Sequence, residues 1–134
     1  MLQIIFGQDL RVGTWVFEKT GGLYTKKDST TIGLEKNGEL VAGFVYNNYI
    51  PNRSIAMHVA GNLFTKKFIK AGFRYPFKQL KVLKTIAFID STNIKSVKFT
   101  SKLGAIHEAT IKDAGRHGDL LIYTMTQEQF RFKD

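Results

Sequence analysis

The residues of this chain that could do chemistry concentrate between Ser54 and Gly104. Ten lysines and arginines lie between Phe64 and Lys102 against a single acid, Asp90, a surplus of nine that equals the net charge of the whole chain. The remainder carries ten bases and ten acids. Inside the block a β-prone run, Ser54–Ala60, meets a break at Gly61-Asn62, and a helical spacing then opens through Thr65, Lys66 and Lys67. Free N–H groups at a helix start, the positive end of the helix dipole and flanking lysines together suit a phosphorylated ligand. His58 is the one side chain of the block that titrates near neutral pH. With no cysteine in the chain there is no disulfide, no thiolate metal ligand and no cysteine nucleophile. No set of His, Asp and Glu has metal-ligand spacing, so no metal is expected.

These residues need elements to hold them. The 134 residues, 43% hydrophobic with 11 Phe and 5 Tyr, suffice for one globular domain over 1–134. Leu2–Phe6 reads as a first strand, and Asp9 as the cap of a helix from about Leu10 to Lys19 that ends at Gly21-Gly22. Leu23–Ser29 is polar and reads as loop. Asn37-Gly38 between Thr31–Lys36 and Leu40–Tyr49 predicts a hairpin. Ser54–Ala60 alternates Ile55, Met57 and Val59 with Ala56, His58 and Ala60, which places His58 on the opposite face from Met57 and Val59. A helix follows from Leu63 to Leu80, kinked at Pro76, with Gly72 easing the crowding by the proline. Val82–Ile89 is a strand, Asn93–Leu103 a helix capped by Gly104, and Ile106–Ile111 and Leu120–Met125 close the fold around a turn at Ala114–Asp119. The order β-α-β-β-β-α-β-α-β-β predicts an α/β (α+β) domain, a mixed sheet with helices on both faces.

That order, with its local sequence, resembles the GNAT superfamily of acetyl-CoA-dependent N-acetyltransferases. The resemblance extends to the ribosomal-protein-N-acetyltransferase-like branch, which includes short phage-encoded members. Ile32-Gly33-Leu34-Glu35 with Leu40–Tyr46 is similar to the family's central hairpin, and Phe73–Leu80 to the end of its cofactor-side helix. Asn93-x-x-Ser96 followed by Lys102-Leu103-Gly104 resembles its next helix, and Gly118–Met125 its last strand. The likeness spans Trp15 to Arg131. Where relatives carry a glycine-rich pyrophosphate loop, this chain has Gly61-Asn62-Leu63-Phe64-Thr65-Lys66-Lys67. Where many carry a tyrosine seven residues after the helix asparagine, it has Thr100, and Ala105 replaces the usual Phe after Gly104.

The resemblance implies a centrally splayed sheet with a shortened N-terminal arm. It also implies acetyl-CoA as co-substrate and direct acetyl transfer to an amine, with no covalent enzyme intermediate. Met57, Val59 and Ala60 would lie along the cofactor, with a backbone N–H near Val59 or Ala60 facing the thioester oxygen. Gly61, Asn62, Thr65, Lys66 and Lys67 would receive the phosphates, and Asn93 would touch the cofactor from the far side. His58 would act as general base, while Ser96, Thr100 or a water would protonate the leaving thiolate. Helix-surface placement is the competing reading for both hydroxyls; for Trp15 and Tyr46 the alternatives are lining an acceptor pocket and core packing, of which core packing is preferred. An α-amine with pKa ~8 is about 10% neutral at pH 7 and a lysine at ~10.4 only about 0.04%, which favours a protein N-terminus or small-molecule amine over a lysine acceptor. The surplus charge also fits a domain that acts on nucleic acid or aminoacyl-tRNA, and the altered loop a non-catalytic binding module. No membrane span or signal peptide is read, a cytoplasmic location is expected, and the resemblance leaves room for a homodimer.

Overall fold

In the computed structural model, residues 1–21 and 28–132 are described. Gly22 and most of the loop expected over 23–29 lie outside the described residues. Among the described residues the sheet has seven strands: β1 (Leu2–Phe6), β2 (Thr30–Lys36), β3 (Glu39–Ile50), β4 (Ser54–Gly61), β5 (Lys84–Asp90), β6 (Ile106–Ile111) and β7 (Leu120–Met125). They are ordered β1-β2-β3-β4-β5-β7-β6. Every pairing is antiparallel except that of β4 with β5, which is parallel. Helix α1 (Asp9–Thr20) packs Val12, Val16 and Phe17 with Val45 on one face of the sheet. Helices α2 (Lys66–Arg74) and α3 (Ile94–Leu103) cover the other face over the main core, built on Phe44, Tyr46, Phe68 and Phe73. The expected element order and two-faced layering are therefore present.

Local chemistry accounts for most of these elements. Asn37 and Gly38 both have positive φ, 53° and 86°, the conformation of a type I′ turn whose twist matches its strands. Gly21 ends α1 in the left-handed region at φ 87°, and its N–H returns to the Phe17 carbonyl at 2.8 Å. Gly104 caps α3 as expected.

Three expectations are corrected. Asp9 does not cap α1: it lies in the first turn, and its carboxylate accepts from the Thr31 N–H and hydroxyl at 3.0 and 2.8 Å, tying the helix to β2. The expected single kinked helix over 63–80 is α2 followed by a π-helical turn, Tyr75–Gln79, closed by Leu80 N–H donating to the Tyr75 carbonyl at 3.0 Å. Pro76 cannot donate to the Gly72 carbonyl, and the buried Tyr46 hydroxyl donates to it instead at 2.6 Å. Gly72 is required by a different neighbour from the one expected, since a Cβ there would overlap the Phe44 ring. Tyr46 is therefore core, and burial pushes its phenol well above the ordinary value.

Candidate active site

The pairing of β4 with β5 ends early. Ser54, Ile55 and Ala56 face Lys84, Thr85 and Ile86, and beyond Ala56 the strands part. From there β4 continues to Gly61 paired with β3, while β5 runs to Asp90 paired with β7. The wedge between them is a narrow apolar cavity of about 40 Å³, lined by Met57 and Val59 on one side, Ile86 and Ala87 on the other, and Phe99 and Thr100 of α3.

Register decides which backbone groups face this wedge. The Asn62 N–H donates to the Val41 carbonyl at 2.8 Å, and the β3–β4 register is unbroken from Gly61 back to Ala56. Hydrogen-bonded and non-bonded pairs alternate along an antiparallel ladder. Ala60 and His58 therefore bond to β3, whereas Val59 and Gly61 turn their N–H groups into the opening. Of the alternatives Val59 and Ala60, it is the Val59 N–H that faces the opening, while that of Ala60 bonds to β3.

The side chain of His58 sits on the α1 face, opposite Met57 and Val59 as expected. Its ring packs at 5.1 Å, centre to centre, on Phe17, and its Nε2 lies 3.0 Å from the Asn47 amide oxygen. An amide oxygen as neighbour calls for a proton on Nε2, which leaves the lone pair on Nδ1. Burial disfavours the imidazolium and lowers the His58 pKa, so the ring is neutral at pH 7. His107, given no role, stacks on Tyr123 at 5.2 Å and bonds within its own strand.

The remaining candidates divide by position. Thr100 is buried and lines the wedge, which removes the helix-surface reading for it. Ser96, one turn earlier on α3, is half-buried and does not line it. Thr65 is the N-cap of α2, where its hydroxyl accepts from the Phe68 N–H at 3.1 Å. That bond uses one free N–H of the helix start, but those of Lys66 and Lys67 precede the first intrahelical bond, from Ile69 to the Thr65 carbonyl. Both lysines and Asn62 are exposed. Asn93 is the N-cap of α3 and accepts from the Ser96 N–H at 3.2 Å, leaving its amide NH2 available. The basic block is not wholly unbalanced, because Lys84 pairs with Glu108 of β6 at 2.8 Å.

One cluster was not anticipated. At the end of β5 the Asp90 carboxylate accepts from the backbone N–H groups of His117 (2.6 Å), Gly118 (3.1 Å) and Thr92 (2.8 Å), and from the Thr92 hydroxyl (2.6 Å). These donors, His117 foremost, hold its pKa well below the usual carboxylate range. Asp90 thereby fastens the β6–β7 loop to the rim of the wedge. Asp90-Ser91-Thr92 is a readable local turn, but nothing in it announces a partner 27 residues away.

No family sequence model matches this chain, and no curated protein sequence does. Solved structures match along nearly its whole length. A variant of the spermidine N-acetyltransferase SpeG from Vibrio cholerae superposes with a TM-score of 0.74 at 16% identity, covering 95% of this chain and 94% of that one. A second SpeG variant reaches 0.77 at 14% identity with the same coverage. A probable acetyltransferase gives 0.70 at 16% identity over 96% and 94% of the two chains. The chain thus has the GNAT fold of these acetyltransferases, with a splay between its fourth and fifth strands.

Proposed function

We propose that this protein is an acetyl-CoA-dependent N-acetyltransferase that passes the acetyl group directly to a primary amine. The observation that carries the reading is the parting of β4 and β5 beyond Ala56, with the Val59 N–H turned into an apolar wedge. The fit to acetyl-CoA rests on the same features: an apolar slot beside a strand edge with free backbone groups, and an α2 start with spare N–H groups and two exposed lysines.

Acetyl-CoA would supply a thioester carbonyl open to attack by an amine. The Val59 N–H would donate to the carbonyl oxygen as negative charge grows there, a contribution of ~2.7–4 kcal/mol for one well-placed donor. His58, one residue earlier and neutral, would take the ammonium proton on Nδ1. Thr100 would stand behind the departing sulfur, whose pKa near ~8.5 demands only a weak acid. Lys66, Lys67, Asn62 and the α2 start would neutralise the phosphates, with Thr65 fixing the helix end, Gly61 giving the strand its close passage and Asn93 contributing its amide NH2 from α3. A lone, desolvated histidine suits an α-amine or small-molecule amine better than a lysine side chain.

Calorimetric titration with acetyl-CoA, and with CoA as control, tests the reading. Saturable binding is expected, with release of free thiol once an amine is added. No heat at millimolar acetyl-CoA would end the proposal.

A further inference from the structure

The loop after β6 reaches across to the C-terminal end of α1. Arg116 Nη1 donates to the Thr20 carbonyl at 3.4 Å, and the guanidinium occupies the space a side chain at Gly21 would need. The loop is not free to wander, because the two residues after Arg116 are the ones whose N–H groups sit on Asp90, and the Gly115 N–H closes on the Gly118 carbonyl at 2.9 Å. The helix C-terminus attracts a cation, but 3.4 Å is a long bond that engages one of the five guanidinium donors. Among the described residues Arg116 makes no ion pair, in contrast to Arg11 with Glu35 and Lys84 with Glu108. Phe17, whose ring packs on His58, precedes Thr20 by three residues, ~4.5 Å along the helix axis. A pre-positioned cation therefore stands at the end of the helix whose Phe17 packs on the proposed base.

We infer that Arg116 reads an anionic group on the acceptor, so that the acceptor is a primary amine that also carries a carboxylate or phosphate. This rests on the acetyl-transfer reading and narrows it. Arginine presents a planar fork that matches both groups with two parallel bonds. A polycationic acceptor would need spare carboxylates at the same place. Asp90 is saturated by four donors, and Glu18 lines a separate groove with Thr14, Trp15 and Glu39.

The test is a panel of primary amines matched in length that end in a neutral amide, a carboxylate, a phosphate monoester or a second ammonium. The wild type should use the carboxylate or phosphate amine with kcat/KM about tenfold or more above the amide, and the better of the two names the anion. Arg116→Gln should bring the favoured amine down to the level of the amide, mainly through KM, and Arg116→Lys should keep part of the preference. Equal rates across the panel, a preference for the diamine, or a preference that survives Arg116→Gln overturns the inference. Titration of the amino carboxylate and amino phosphate into the protein, with and without CoA, gives a readout independent of turnover. Binding abolished by Arg116→Gln supports the role of Arg116; no binding, or binding the variant keeps, overturns it. Failure to bind acetyl-CoA in the calorimetric experiment strikes the acetyl-transfer reading instead, so the two failures are distinct.

Discussion

The two banks of the wedge are built on different principles. The β4 bank is made of backbone and burial: strand register aims the Val59 N–H, burial keeps His58 neutral, and Phe17 and Asn47 pack and orient its ring. The β5 bank is made of polar side-chain bonds at the surface: one carboxylate, Asp90, gathers four donors and sets the β6–β7 loop. The banks share three residue pairs of parallel strand, and Arg116 reaches back from one to the other. The groups proposed to react thus sit on the side set by strand register and burial, and the groups proposed to choose an acceptor on the side held by a few surface bonds. Binding and catalytic residues commonly divide in this way between scaffold and loop.

The largest effect expected is on the buried bank. Val59→Pro removes the N–H that faces the wedge without removing a bond to β3. It should lower kcat by ~10²–10³ while acetyl-CoA still binds by calorimetry; a rate within threefold of wild type would show that the donor is elsewhere. His58→Ala should cost ~10²-fold in turnover, again with binding retained, and an unchanged rate removes His58 from the mechanism. Behind that bank, Tyr46→Phe strips the Gly72 carbonyl of its donor, and thermal unfolding should register a loss of ~1–3 kcal/mol. Unaltered stability would mean that Pro76 leaves no buried acceptor to satisfy.

Surface positions should respond less. Lys66→Glu should weaken acetyl-CoA binding by about tenfold in low salt and by less in high salt, as expected for an exposed charge; a salt-independent loss would indicate a fold defect instead. Asp90→Asn frees the loop, so KM for the acceptor should rise several-fold while CoA affinity holds. Equal damage to both would make Asp90 a general stability element. The smallest and sharpest effect is in pH. His58 has a lowered pKa and is proposed to work as the neutral ring, so kcat/KM, once divided by the neutral fraction of the acceptor amine, should be level from neutral pH down to about 6.5 and fall only on further acidification. An acid limb centred above 6.5 would place the titrating group elsewhere.

Much of the frame was legible in the chain. Asn37-Gly38, the alternation in Ser54–Ala60, Gly104 and the order of elements depend on neighbours within a few residues, and the structure follows them. The face of His58 followed from period-two alternation alone. What was misread depends on partners far along the chain. Asp9 looked like a helix cap until Thr31 claimed it, and Gly72 looked like a concession to Pro76 until Phe44 required it. Phe130, beyond the last strand, joins the core against Phe73 at 4.7 Å, which no local pattern indicated.

The sequence by itself determined the kinds of element, their order, the hairpin register near its turn and a positive field beside a strand end. Those follow from backbone sterics, side-chain period and Coulomb's law, which act at short range or on totals. The tertiary structure decided where β4 and β5 stop pairing, that Val59 rather than Ala60 faces the gap, that Thr100 is buried beside it, and that Asp90 and Arg116 tie a distant loop to the ends of β5 and α1. Each of these turns on which strands become neighbours and in what register, and a shift of one residue would reverse every group that faces the wedge.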